Sequence, residues 1–328
     1  MSARPRHGLA ELPLSRRGVL RIAAGGLGGL VVGGMLPNRA ARAQTGTEPI
    51  RSSELRSGLI RLAGRGGNAL FLNDPAGAVL VDSGAPEDAE GLALEVAEKA
   101  GGAPIDVLFN THWHLAHTGG NERLATPDTR IIAHENTRLW MNTEYYVDWQ
   151  DRTYRPRPAA ALPTDTFYST DPQPKVVELD TDRIEYGHLR EAHTDGDIYV
   201  FFRDRNVVAT GGVVTVGAYP ILDHATGGWI GGLMEATQKL LDLSDRDTLI
   251  VPGRGPAQTR EHLAAQLEMV ATVRGRVEEL MRKGRSAEEM IAAGVTAEFD
   301  GAWGTNRERF ISNVYDGLWW QGRLNGSL

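Results

Sequence analysis

Short apolar runs alternate with polar connections along most of the chain, and they fall into two groups that predict strands. The first group is Leu59–Leu62, Ala69–Leu72, Ala78–Val81, Ile105–Phe109 and Arg130–Ala133. The second group is Val176–Leu179, Arg183–Tyr186, Ile198–Arg203, Val207–Ala209 and Thr248–Val251. Apolar residues at helical spacing predict helices at Pro86–Ala100, at Trp229–Leu243 and from Thr259 onward. Strands in two groups with helices after each predict an α/β (α+β) protein in which helices cover two sheets.

Two further stretches break this pattern. Residues 145–174 are rich in Pro, Thr, Tyr and Asp and show no clear period. A structureless loop of that length is uncommon, so we interpret it as a flap or a substrate-facing insertion. The C-terminal pattern ends in Trp319 and Trp320, which we expect to pack back onto the body of the protein.

Charge is unevenly distributed over the 328 residues, which carry a net charge of −7. Residues 1–43 contain seven arginines and one acid, whereas the remainder contains 28 basic and 41 acidic residues, a net charge of −13. An acidic body excludes nucleic acid as the expected partner, because phosphate neutralisation needs clustered Lys and Arg. The chain has no cysteine. Disulfides, thiolate metal sites and a cysteine nucleophile are therefore excluded.

The N-terminal segment resembles a twin-arginine export signal. Arg16-Arg17 precede the weakly apolar, glycine-rich run Val19–Leu36, and Ala41-Arg42-Ala43 resembles a cleavage site. The alternative is a disordered basic tail beside a buried helix. A signal predicts passage through the twin-arginine export machinery to the periplasm, with no stable membrane anchor after cleavage. We therefore divide the chain into a signal peptide at residues 1–43, a flexible lead-in at 44–57, a main domain at 58–258 and a C-terminal helical extension, packed on the body, at 259–328.

Three of the nine histidines, His112, His114 and His117, fall within six residues directly after a predicted strand. In an extended segment, residues two apart point the same way, so His112 and His114 can reach one ion together. His117 can approach from the start of a following helix. Three imidazoles with an open fourth position are the usual arrangement of a catalytic zinc ion. The alternative is a loop of three surface histidines.

Four motifs together resemble the metallo-β-lactamase superfamily. They are Val81-Asp82-Ser83-Gly84, the stretch Thr111–Asn121, Ala192–Asp197 and Val251–Pro256, and they occur in the family's order. The resemblance implies an αββα sandwich with zinc bound by loops at one edge of the two sheets.

Carried over by position, the resemblance makes His112, His114 and His193 the ligands of the first zinc site. His193 could otherwise be a packing histidine. Asp82 matches an acid that orients the histidine loop, although capping a turn is as good an interpretation. Asp197 matches an acid that ties the loop after His193.

The second metal site departs from the family pattern at three positions. Ala116 and Gly212 stand where aspartates belong, and Arg254 replaces a histidine, so only His117 remains of the second site's side chains. The local charge changes by three units toward positive. Like charges about 4 Å apart repel by roughly 4 kcal/mol at an effective dielectric constant of 20, which argues against a second dication. On this view, combining Ala116→Asp, Gly212→Asp and Arg254→His should recruit a second zinc ion.

The remaining residues suggest roles around one zinc ion. His117 is the one obvious remaining base. Arg254 could grip an anionic group of a small-molecule substrate, or it could fill the vacated cavity and pair with an acid. Asp223 and His224 are candidates to compensate for the lost ligands.

Two functions of different classes follow. The first is a periplasmic one-zinc hydrolase of an ester, lactone, thioester or amide bond. The second is a catalytically silent member of the same fold that binds a ligand or partner through the old cleft. A redox or sulfur-transferring role is disfavoured, because iron centres of this family need the missing carboxylates.

Overall fold

The computed structural model describes residues 49–147, 150–168 and 173–324, all within the unit Gly46–Leu328, with the side chains of 322–324 not described. The predicted signal and cleavage site lie outside the described residues, as does the first part of the lead-in.

The first sheet has seven strands in the order β1-β2-β3-β4-β5-β6-β9. Their bounds are β1 Arg51–Arg56, β2 Leu59–Ala63, β3 Asn68–Asp74, β4 Gly77–Val81, β5 Ile105–Phe109, β6 Arg130–His134 and β9 Asp165–Phe167. Strands β1 to β4 pair antiparallel, and β4, β5, β6 and β9 pair parallel. The carboxyl ends of β4, β5 and β6 therefore meet at one edge of the sheet.

The second sheet has five strands in chain order, β10 to β14. Their bounds are β10 Lys175–Glu178, β11 Arg183–His188, β12 Ile198–Phe202, β13 Val207–Ala209 and β14 Leu249–Val251. The pairings are antiparallel except between β13 and β14, which run parallel. A separate hairpin, β7 Tyr145–Val147 and β8 Arg152–Tyr154, lies between β6 and β9 in sequence.

The helices of the described residues flank the two sheets. Their bounds are α1 Ala89–Lys99, α2 Leu115–Thr118, α3 Asn121–Leu124, α4 Glu135–Met141, α5 Ile230–Leu243, α6 Arg260–Arg282, α7 Ala287–Ala292, α8 Asp300–Trp303 and α9 Arg307–Leu324. Within the described part of the chain, no helix has both the length and the apolar character needed to cross a membrane.

Three layers of apolar side chains fix this arrangement. One cluster fills the space between the sheets with residues from both, including Leu72, Phe109 and Phe202. A second packs α1 onto the outer face of the first sheet, and the largest packs α5, α6 and α9 onto the outer face of the second. Alternate side chains of each strand face opposite ways, so the central strands of both sheets are buried on both faces, and the result is the predicted αββα sandwich.

Residues 51–56 differ from the prediction of a flexible lead-in, because they form β1 and pair antiparallel with β2. The strand lies at the sheet edge with most side chains exposed, so it carries no apolar alternation to reveal it.

The 145–174 segment, which we interpreted as a flap or a substrate-facing insertion, includes regular structure, and its residues Gln150, Arg152 and Tyr154 line the cleft described below. It contains the β7–β8 hairpin and, in β9, a parallel edge strand of the first sheet. Helix α9 packs onto the body through Phe310, Val314 and Leu318, whereas the expectation for Trp320 is wrong, since its side chain is 60% exposed.

Candidate metal centre

Four buried histidines meet where the loops leave the two sheets. His112 and His114 lie in the loop after β5, His117 lies in α2, and His193 lies in the connection between β11 and β12. One ring nitrogen each from His112, His114 and His193 lies within 4.8 Å of the other two. We call these three residues the histidine cage. The structure thus brings together the three residues that the resemblance assigned to the first zinc site.

Two of the four histidines, His112 and His117, make hydrogen bonds that determine which ring nitrogen carries the proton. The Thr111 hydroxyl donates to Asp82 Oδ2 at 2.7 Å, so at 3.1 Å it accepts from Nδ1–H of His112. His117 likewise donates from Nδ1 to Asp82 Oδ2 at 3.0 Å. In the neutral form of His112 and of His117, Nε2 is therefore the nitrogen that carries the lone pair.

The other two rings follow the same rule. His114 Nε2 donates to Asp223 Oδ2 at 2.9 Å, and His193 Nδ1 donates to the Ile221 carbonyl at 2.7 Å. The remaining nitrogens, His114 Nδ1 and His193 Nε2, lie 2.9 Å apart. When both rings are neutral this contact has no proton, and two lone pairs face each other across it.

Burial favours those neutral rings. It lowers the pKa of His193 to about 3, with the neighbouring His114 adding to the effect, and it lowers the pKa of His112 well below the ordinary value. Burial also lowers the pKa of His114, although the hydrogen bond to Asp223 opposes the change. Three converging imidazole lone pairs, with the far side of each ring hydrogen-bonded, are the donor set that a zinc ion requires. The residues fit the metal.

Asp82 supports the histidine loop, which is one of the two roles that sequence reasoning left open for it. Its backbone adopts a left-handed conformation (φ 60°) at the end of β4, and its carboxylate accepts the Thr111 amide at 2.8 Å. The same carboxylate receives the Thr111 hydroxyl and His117. One buried acid therefore fixes the start of the histidine loop and the orientation of a ring in it.

Asp197 ties the loop at His193. Its carboxylate accepts the backbone amides of His193 and Thr194 at 2.7 and 2.8 Å and the Thr194 hydroxyl at 2.9 Å. These contacts hold the backbone of one cage residue while the Ile221 carbonyl holds its ring.

Asp223 has a different place from the one that sequence reasoning considered. It is fully buried and orients His114, while its second oxygen Oδ1 has no hydrogen-bond partner. His224 points elsewhere, since its Nε2 lies 2.6 Å from the carbonyl of Asn313 in α9. The two residues therefore do not form a replacement ligand pair. No sequence spacing could reveal the His114–Asp223 contact, which joins positions 109 residues apart.

Arg254 is exposed beside the cage and hydrogen-bonds to the loop between β2 and β3. Its two terminal nitrogens donate to the carbonyls of Arg65 and Gly66 at 2.8 and 2.9 Å. It forms no ion pair with a carboxylate of the described residues. Of the two interpretations of Arg254, pairing with an acid is therefore wrong for the described part of the chain, and its charge remains uncompensated.

The position of Gly212 leaves no room for a side chain. A Cβ atom added there would lie 2.2 Å from His193 Cδ2 and 2.6 Å from Nε2, and one added at Gly253 would lie 2.6 Å from His117 Cε1. At distances under 3.0 Å a neighbouring group must shift. Gly212→Asp would therefore displace His193, a cage residue, which counts against the expectation that this substitution helps to recruit a second zinc ion.

The cage forms the floor of a cleft of about 600 Å³. Its walls come from the β7–β8 hairpin, the loops after β13 and β14, and the segment from Thr305 to Arg309 around the start of α9. Fold and site together define an αββα sandwich with a three-histidine cluster, able to hold a metal ion, at the edge of its sheets.

The chain belongs to the metallo-β-lactamase superfamily, whose family model matches residues 62–257. No curated protein matches it. Among solved structures it is similar to a metallo-β-lactamase from Pontibacter korlensis, with 18% identity and a TM-score of 0.54 over 68% of this chain and 99% of that one. It is also similar to a double mutant of the sec-alkyl sulfatase PisA1, with 15% identity and a TM-score of 0.59 over 81% of this chain. The similarity spans half of the sulfatase's length. At these identities both likenesses establish the fold.

Proposed function

We propose that this protein is a periplasmic one-zinc hydrolase that cleaves an ester, lactone, thioester or amide bond. The observation that carries the proposal is the convergence of three neutral imidazole lone pairs, each fixed from behind by a hydrogen bond, at the floor of an open cleft. Membership of the metallo-β-lactamase superfamily is consistent with this proposal.

His112, His114 and His193 would hold the ion. When bound, zinc supplies Lewis acidity, which lowers the pKa of water toward 7 and polarises an acyl carbonyl. The chain's own contribution is to keep the three rings neutral and oriented. Asp223 does this for His114, the Thr111 hydroxyl for His112 and the Ile221 carbonyl for His193.

His117 is the proposed general base. Asp82 accepts its Nδ1–H, so Nε2 keeps a lone pair, and the residue lines the cleft. As water attacks the acyl carbon, one of its protons passes to His117 Nε2. When the bond from the acyl carbon to the leaving atom breaks, the same proton passes to that atom. The products are an acid and an alcohol, thiol or amine, and the base is regenerated.

A single ion is proposed because the second position carries no acid. Ala116 and Gly212 offer no ligand atom, and the guanidinium of Arg254 lies in the same cleft. A second dication would be repelled by that fixed positive charge. The twin-arginine signal proposed for residues 1–43 supplies the periplasmic location.

Metal analysis and turnover together test the proposal. Protein purified without chelator should contain about one zinc per chain, and His114→Ala should lose both the metal and the turnover of a responsive ester or lactone. His117→Gln should keep the metal and lower kcat by about 100-fold, within the range of general-base catalysis. His188→Gln, a histidine outside the cage, is the matched control and should change neither quantity.

Two results would contradict the proposal. A ratio near two zinc ions per chain would show that the charge argument at the second position is wrong. Equal inactivity of the wild-type protein and the His114 variant on every substrate would favour the alternative, a catalytically silent protein that binds a ligand through the cleft.

A further inference from the structure

The cleft above the histidine cage is lined by apolar side chains and by arginines, and this combination indicates which class of substrate fits it. This inference rests on the proposed function, because it concerns the molecule that the hydrolase would cleave. Apolar side chains form one part of the lining, including Pro86, Leu115, Val214, Val216 and Ile221. These side chains offer a surface against which the hydrocarbon body of a ligand can be buried.

The charged groups of the same cleft are mainly cations. Three arginines line it, Arg152 from β8, Arg254 from the loop after β14 and Arg309 from α9. The acid among the described lining residues is Glu87. The arginines come from three separate parts of the chain, so no local run of basic residues explains their convergence.

Two of these guanidiniums are held in place without being neutralised. Arg152 lies over the ring of Tyr154 at 4.8 Å, and Arg254 is hydrogen-bonded to the carbonyls of Arg65 and Gly66. Neither forms an ion pair with a carboxylate of the described residues. A guanidinium has five N–H donors, so Arg254 keeps donors for a ligand beyond the two that it uses.

We infer that the cleft takes an acyl compound with an apolar body and an oxyanion group, a carboxylate or a sulfonate-like group, which Arg152 and Arg254 bind. The fork of N–H donors on arginine matches the paired oxygens of such groups. The apolar lining and the two fixed cations then orient the substrate so that its scissile bond lies over the cage.

Binding of three small phenols tests this inference on the protein as purified. Calorimetry would compare 4-hydroxybenzoate, 4-hydroxybenzenesulfonate and the uncharged 4-hydroxybenzyl alcohol, which share the aromatic body and carry no hydrolysable bond. The anions should bind at least about 10-fold more tightly than the alcohol. Arg152→Gln, and separately Arg254→Lys, should reduce that preference by several-fold and leave the affinity for the alcohol unchanged. Arg246→Gln is the matched control, because Arg246 is exposed, pairs with Asp247 and does not line the cleft.

The outcomes separate this inference from the proposed function. Equal affinity for charged and uncharged ligands, or an anion preference that neither arginine variant changes, would overturn the inference even if esters are hydrolysed. A preference for the sulfonate over the carboxylate, or the reverse, would identify the oxyanion. Anion binding that depends on both arginines, in a protein that hydrolyses no acyl substrate, would support the inference and contradict the hydrolase.

Discussion

Gly212→Ala should weaken the binding of zinc to the histidine cage. The new Cβ would lie 2.2 Å from Cδ2 of His193, whereas ordinary contacts begin at 3.4 Å. Either the ring or the loop must therefore shift by at least about 1.2 Å. Zinc–nitrogen bonds of about 2.0–2.1 Å tolerate displacements of about 0.2 Å. Because the shift exceeds that tolerance several times over, we expect zinc affinity to fall by about 100-fold, at the upper end of the effect of disturbing the support of a ligand.

The assay is a titration of zinc against a fluorescent chelator, with the melting temperature recorded for each variant. Gly275→Ala is the matched control, because a Cβ atom at that position in α6 meets nothing within 4 Å. This control should keep wild-type affinity and should be as stable as the wild type or more so, since alanine favours a helix. Wild-type zinc affinity in a folded Gly212→Ala protein would refute the reasoning, and a second bound zinc in Gly212→Asp would refute it more strongly.

Three other predictions concern the support of the cage, the N-terminal signal and a stacked pair of buried histidines. Asp223→Asn should weaken zinc binding by about 10- to 100-fold, measured by the same titration, because the charged acceptor behind a ligand ring is lost. Arg16→Lys combined with Arg17→Lys should leave the protein in the cytoplasm on cell fractionation, and normal periplasmic delivery would contradict the signal. Burial holds the pKa of His134 at about 3 and that of the stacked His188 at about 4. As the pH falls below 6.5, these two histidines therefore become protonated in the unfolded chain before they do so in the folded protein. Urea unfolding should therefore show the free energy of unfolding falling by roughly 1 kcal/mol per pH unit for each histidine between pH 6.5 and 4, and a double glutamine variant should lose that slope.

Sequence patterns predicted the parts of this molecule that depend on residues close together in the chain. The buried strands were predicted because they are apolar on both faces, as in β12, where all five residues are buried. His112 and His114, in the loop after β5, were recognised as candidate ligands because they are two residues apart directly after a predicted strand. In contrast, β1 was missed because its stability comes from main-chain pairing at an exposed edge, which leaves no trace in the apolar pattern.

The parts that could not be predicted are contacts between distant segments. The pairing of Asp223 with His114, the attachment of Arg254 to the Arg65 and Gly66 carbonyls and the approach of His193 to Gly212 all join loops that only the finished fold brings together. Gly212 is instructive, because its identity was interpreted as the loss of a ligand. The structure gives the glycine a steric role that a comparison of motifs cannot supply.

The wall that α9 contributes to the cleft bears on the order in which the protein becomes competent during its synthesis. Every residue of the histidine cage and its supports has been synthesised once Asp223 has been added to the chain. Asn306 and Arg309, which line the cleft, come much later in the chain. A nascent chain can therefore contain a full set of metal ligands before it can discriminate among the molecules that reach them, and selectivity is the last property that translation adds.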